Sequence, residues 1–176
     1  KIFCITAVTN GGTGARPSKD GLSATAYPSG VRGTPVEINE SVAPIIFWRK
    51  EYNSGSGGVG KYRGGLGQVI EIGSAIEEDL ELLAAFDRIE YPPRGRAGGG
   101  NGEPGSVSLA SGAILRGKGA QFIKKGERLV IYTPGGAGHG SPEERDPALI
   151  ASDFRRGLIS LGSAKNDYGF AVEENG

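Results

Sequence analysis

Apolar residues come in compact runs along this chain, such as Lys1–Val8, Pro44–Trp48 and Leu129–Tyr132, separated by polar, glycine-rich stretches. Lys1–Val8 reads as a strand. Thr34–Tyr52 carries β-branched and aromatic residues, with Pro35 and Pro44 limiting where pairing can run. Gln68–Ile72 alternates as a half-buried strand does. Leu80–Ile89 admits two readings: Leu80, Leu82, Leu83 and Phe86 suit a helix, and an antiparallel strand toward Arg88–Glu90 fits equally. Val107, Leu109 and Ile114 predict a hairpin across Ser111–Gly112, and Glu127–Tyr132 predicts a further strand. Then the period changes. Asp146–Pro147 offers an N-cap carboxylate and a proline at the first helical position. Ile150, Phe154 and Leu158 follow at i, i+4 and i+8, and Gly157 or Gly162 stops the run. Asn166–Gly169 reads as a turn. The expected fold class is α+β: a β-rich lobe with Gly-rich loops and one C-terminal helix, forming one unit over residues 1–176.

Composition changes this picture in one respect: 32 of the 176 residues are glycine, more than twice the ordinary share. No Gly-x-y period runs through them, which excludes collagen, and the apolar runs argue against a disordered chain. The glycines gather in four loops beside basic residues: Thr9–Gly21, Asn53–Gly67, Tyr91–Gly105 and Pro134–Gly140. Successive glycines can aim backbone N–H groups at one anion, or let two backbones approach closely. Both readings stay open at this point.

Twenty basic and twenty acidic residues cancel. Bulk charge therefore gives no reason to expect nucleic acid or a membrane as partner. No stretch approaches the roughly 18 apolar residues of a membrane span, and no signal peptide is visible. The single Cys4 excludes an internal disulfide framework. It is expected to be a small buried hydrophobe in a reducing, cytoplasmic protein. The chain holds no methionine and opens mid-strand in character, so it is expected to be a piece of a larger polypeptide.

Candidate chemistry is sparse. Gly55–Lys61 matches a phosphate-binding loop, but Tyr62 stands where Ser or Thr must bind magnesium, and Tyr62–Gly67 would not propagate the required helix. The other glycine clusters lack the strand–turn–helix context of a dinucleotide site. His139, between Gly138 and Gly140, is the best single candidate for acid–base work or ligation; the plainer alternative is a surface or lobe-contact histidine. No acidic residue or second histidine stands at ligand spacing from it, so no metal ligand is assigned. Glu143, Glu144 and Asp146 look like acids that complement a helix N-terminus. Asp20 is either a turn residue or a carboxylate whose partner the sequence does not identify.

Three ordered blocks resemble the hydantoinase B / 5-oxoprolinase B family: Gly11–Gly21 followed by Pro28–Glu37, then Gly57–Gly67, then Thr133–Gly140 followed by Pro142–Pro147 and Tyr168–Gly169. With the Pro92–Gly95 loop between them they cover nearly the whole chain. The resemblance is to the C-terminal part of a B-type subunit. It implies an ATP-dependent cyclic amidohydrolase working with an A-type partner that binds ATP and Mg and phosphorylates an amide oxygen of a small cyclic amide. The B-type subunit, including the remainder absent from this chain, would then complete ring opening by water. Divalent-metal ligands are implied mainly for that absent N-terminal portion. The resemblance implies catalytic roles for His139 and Asp20, and substrate binding by Gly11, Gly12, Thr13, Gly14, Arg16, Lys19, Gly135 and Gly136. Two departures stand out: Ala137 replaces a glycine of the third block, and Ser141 stands where an acid is often found. ATP-dependent ketone carboxylases share the large-subunit architecture. A carboxylase segment and a purely structural assembly lobe are therefore the alternative readings.

Overall fold

The computed structural model describes residues 3–26, 30 and 33–170. Its elements are helix α1 (Val36–Val42), strands β1 (Ile45–Tyr52), β2 (Gln68–Ser74), β3 (Leu80–Ala85), β4 (Ser106–Leu109), β5 (Lys118–Ile123) and β6 (Arg128–Tyr132), then helices α2 (Pro147–Arg155) and α3 (Leu161–Asn166). The class is α+β, with two wholly antiparallel sheets: β1-β2-β6-β4, and a two-stranded ribbon of β3 and β5.

The strands follow the sequence patterns where those were clear. Ile70 and Ile72 of β2 sit beside Ile131 and Leu129 of β6 in strict register. These side chains form the main core with Ile45, Val107 and Ile123. Each fully buried aliphatic side chain contributes about 1.5–3 kcal/mol. The hairpin at Gly112 forms, with Leu109 N–H donating to Ala113 O and Leu115 N–H to Val107 O, and Gly112 takes the positive φ of 94° that the turn requires. Within Leu80–Ile89, Leu80–Ala85 resolves as strand β3, because β5 supplies a partner along its whole length, and the strand stops before Phe86.

Four expectations change. Residues 3–8 make no ladder, and Cys4 is exposed rather than buried; only Ile5 of that run packs partly on the core. Residues 1–2 lie outside the described part. Thr34–Tyr52 is not continuous extended chain, because α1 precedes β1: the Glu40 carboxylate at the end of α1 accepts from Phe47 N–H in β1, closing a tight helix–strand corner. β5 escaped prediction because Lys118–Ile123 shows no apolar alternation. Finally, the C-terminal end holds two helices rather than one. Asp146 caps α2 by accepting from Ala148 N–H, but Gly157 at φ 67° ends it before Leu158, and Ser160 then caps α3.

The glycine loops form a body of their own. Its hub is segment 134–140. Gly12 N–H donates to Pro134 O and Ala15 N–H to Ala137 O, at 2.9 and 2.7 Å. Gly135 and Gly138 donate to Glu103 O and Gly100 O, at 3.0 and 2.9 Å. Gly136 and His139 donate to Gly65 O and Tyr62 O, at 2.8 and 3.0 Å. The partner loop therefore recurs every third residue: first loop, third loop, second loop. Three residues per turn is the screw of the polyproline II helix, and it sends hydrogen bonds out in three directions instead of along one sheet plane. Hub glycines Gly135, Gly136 and Gly138 and their neighbours Gly12, Gly64 and Gly65 do not have positive φ. They are glycines because of space. A Cβ at Gly136 would overlap Thr13 O, one at Gly135 would overlap Ser56 O, and one at Gly12 would overlap Gly65 O.

Candidate functional site

At the 138–140 end of the hub the loops bring basic residues together. Arg96 N–H donates to Gly138 O, Gly140 N–H to Arg96 O, Lys61 N–H to Gly140 O, and Tyr62 and His139 pair through both backbone groups. Arg16 and Lys19 form a two-residue turn on the first loop, just past the Ala15–Ala137 bond. Arg16, Lys19 and Arg96 are exposed, and no carboxylate among the described residues pairs with them; Lys61 pairs with Glu144 at 3.0 Å. The His139 ring is half-buried and has no hydrogen-bond partner among the described residues.

Beneath this rim lies a buried ion network. Arg145 is fully buried at its side chain and donates from Nη1 and Nη2 to both oxygens of Asp20, each at 2.8 Å. Nη1 also reaches Lys61 O at 3.0 Å, and Nη2 reaches Asp153 Oδ2 at 2.7 Å. Arg63 Nε donates to the same Asp153 oxygen at 3.0 Å, its Nη1 to Gly64 O, and its backbone N–H to Asp20 Oδ1 at 2.7 Å. The Tyr168 ring lies against the Arg145 guanidinium, 5.9 Å from its centroid. Two arginines and two aspartates balance in charge, which is what makes their burial tolerable.

Burial pushes the Asp20 carboxyl up, but the Arg145 hydrogen bonds and charge, with the Arg63 N–H, outweigh it and hold the group below the usual carboxylate range. For Arg145, burial works against the charged form, and the hydrogen bonds and charge of Asp20 with the charge of Asp153 overcome it, so the guanidinium stays protonated. Tyr168 is raised, chiefly by burial.

The residues singled out from the sequence thus fall into three groups. Arg16 and Lys19 sit in the turn just past the Ala15–Ala137 bond, and His139 lies two residues farther along the hub. Gly12, Thr13, Gly135 and Gly136 are inside the bundle, and their N–H groups already donate to Pro134, Leu22, Glu103 and Gly65 carbonyls. Gly11 packs on Pro134, while Gly14 is exposed, with Ala137 O at 3.8 Å from where its Cβ would be. Asp20 has both oxygens engaged by Arg145 and Arg63. Sequence reasoning passed over Arg63, Arg145 and Asp153. The one available signal was Arg145 itself, an arginine set among the acids of Pro142–Pro147.

Two depressions elsewhere do not suit a cyclic amide with a phosphate. One, lined by Val8, Asn39, Phe47 and Lys50 among others, encloses about 10 Å³, room for no more than a water. The other is open, about 300 Å³, and its single charged lining residue is Glu103. Among the described residues no three His, Cys, Asp or Glu side chains gather as a metal site. None of the described helices is long and apolar enough to cross a membrane.

Residues 1–142 match the family model described as hydantoinase B/oxoprolinase. The chain belongs to that family. A 5-oxoprolinase of Dictyostelium discoideum is 36% identical over 76% of this chain and 11% of its own length. Caprolactamase subunit beta of Pseudomonas jessenii is 29% identical over 99% of this chain and 32% of its own. The crystal structure of the ATP-dependent caprolactamase from Pseudomonas jessenii contains a chain that superposes with a TM-score of 0.76, 25% identity, and coverage of 96% of this chain and 31% of that one. A nucleotide-free acetone carboxylase structure shares the fold, with a TM-score of 0.65 at 24% identity over 94% of this chain and 27% of that one. This chain spans between 11% and 32% of the length of these relatives.

Proposed function

We propose that this family member is the C-terminal segment of a B-type subunit of an ATP-dependent cyclic amidohydrolase. An A-type partner, carrying ATP and Mg, phosphorylates the amide oxygen of a small cyclic imide or lactam. Phosphorylation makes the carbonyl carbon electrophilic. Water then adds at that carbon, the ring C–N bond breaks as the nitrogen takes a proton and leaves as an amine, and a second water hydrolyses the acyl phosphate that remains to carboxylate and inorganic phosphate. The observation that carries this reading is exposed Arg96 bridged to His139, with the exposed, unpaired Arg16–Lys19 turn just past residue 137 of the same hub, in a chain of the hydantoinase B/oxoprolinase family. Fixed cations placed where phosphate charge develops stabilise it without reorganising.

On this reading His139 moves the proton, and Arg16 and Lys19 meet the phosphate. Gly11 and Gly14 flank the Arg16–Lys19 turn on its N-terminal side, while Gly12, Thr13, Gly135 and Gly136 act from inside the bundle, holding the loops that present it to substrate. Asp20 acts at one remove, through Arg145. The two depressions described above are too small or wrongly charged for the substrate, and on this reading the rest of the subunit closes the pocket.

The test is reconstitution of the complete B-type subunit with its ATP-binding partner. ATP turnover that depends on hydantoin, 5-oxoproline or caprolactam is the expected result. Turnover that instead requires bicarbonate and a ketone would replace the reading with a carboxylase. Arg16→Ala and His139→Ala in the complete complex should each lower turnover; unchanged rates would leave this segment an assembly lobe.

A further inference from the structure

Two of the loops that carry the rim meet at one side chain. Arg145 leaves the end of the hub, reaches Asp20 of the first loop, Lys61 O of the second and Asp153 of α2. It lies three residues beyond the stretch matched by the family model. We propose that Arg145 is a positioning residue: its guanidinium latches the first loop through Asp20 and so fixes the turn that carries Arg16 and Lys19.

The first loop itself supplies the argument. Ala15 N–H is held by Ala137 O, and Gly21 N–H by Arg63 O. Between these anchors the turn is bonded only to itself, Arg16 N–H to Lys19 O and Lys19 N–H to Arg16 O. Asp20 is the one side chain from that stretch with a bond to the rest of the described residues, and Arg145 takes both of its oxygens. A bidentate arginine–carboxylate pair fixes orientation as well as distance. Buried ion pairs often add little net stability, so the geometry they impose is the better account of their presence. Asp20 keeps 29% of its side chain exposed while the Arg145 side chain has none. The latch thus runs from the protein interior to the foot of the rim.

The proposal rests on the reading above for where substrate binds, and its test separates the two. The complete subunit, assembled with its ATP-binding partner, is compared as wild type, Arg145→Met and Arg145→Met/Asp20→Asn. The single variant leaves an unbalanced buried carboxylate and can fail to fold. The double variant leaves Arg63 and Asp153 paired and neutral, so it carries the test. In the double variant the amides of Arg16, Lys19 and Gly21 should exchange with deuterium at least about tenfold faster, with Ile70 and Ile131 unchanged. kcat should fall about tenfold, with KM for the cyclic amide within about threefold of wild type. Unchanged loop exchange, or a loosened loop with unchanged kcat, overturns the proposal. Val107→Ala, in β4 and outside the latch, lowers stability generally; if it moves loop exchange and kcat as much, the proposal is likewise overturned. Should the wild-type complex turn over no cyclic amide, the functional reading has failed, and the exchange arm alone decides the latch.

Discussion

The four-stranded sheet and the glycine bundle are both buried, yet for opposite reasons. In the sheet, Ile70, Ile72, Leu129 and Ile131 fill space with side chains, and stability comes from apolar area removed from water. In the bundle, Gly57, Gly58, Gly64, Gly65, Gly135 and Gly136 are equally buried but bring no side chain. Backbones there approach until carbonyls and Cα atoms touch, and hydrogen bonds in three directions satisfy the amides that such burial would otherwise strand. The sheet is a packing of shapes, the bundle a packing of main chains. One should suffer from atoms removed, the other from atoms added.

The largest effect should come from adding a single methyl group to the hub. Gly136→Ala is expected to cost more than about 4 kcal/mol, in the exceptional range for one substitution, because its Cβ meets Thr13 backbone that no rotamer change can clear. Urea denaturation, or loss of soluble folded protein, reads the outcome. A near-neutral Gly136→Ala would mean that the loops can part, and the contrast with the sheet would collapse. Next comes truncation in the sheet: Ile70→Ala should cost about 3 kcal/mol and Ile70→Val about 1 kcal/mol, with the urea midpoint falling in that order.

Acid sharpens the comparison through the ion network that clasps the bundle. Asp20 has its folded pKa depressed, so its contribution to stability is complete above the unfolded value near 4 and is lost as pH falls below it. Urea midpoints at pH 7 and pH 3 should therefore differ less in Asp20→Asn than in wild type. An equal acid sensitivity in both would show that Asp20 is not held as the Arg145 geometry implies. The smallest effect is a gain. At Gly162, in α3, an added Cβ makes only an ordinary contact with Ser160 Oγ at 3.6 Å, so Gly162→Ala should stabilise by about 0.5–1 kcal/mol. Opposite signs at Gly136 and Gly162 would separate glycines required by space from glycines that are not.

Legibility in the sequence tracked the range of the interaction. Gln68–Ile72 and Glu127–Tyr132 were readable because alternation is a property of neighbours, and Asp146–Pro147 marked a helix start because capping acts within one turn. Helix α1 was missed because what decides it is a corner closed by Glu40 and Phe47, not the β-branched composition of Thr34–Tyr52. Cys4 was expected inside because its run is apolar, yet no strand edge receives that run. At the site, His139, Arg16 and Lys19 could be named from the sequence, whereas the Arg63–Asp153 and Arg145–Asp20 pairs could not. Their members lie 90 and 125 positions apart, beyond any local pattern.

By itself, then, the sequence determined the strands with clear alternation, the helix start, and the family through its ordered glycine blocks. It left open whether the glycines face an anion or one another. Only the tertiary structure decided that. Gly12, Gly65 and Gly136 meet across long stretches of chain, and a glycine required by a distant backbone is written with the same letter as one required by a local turn. The physical reason is that close approach is a property of pairs of segments, and no segment read alone contains its partner.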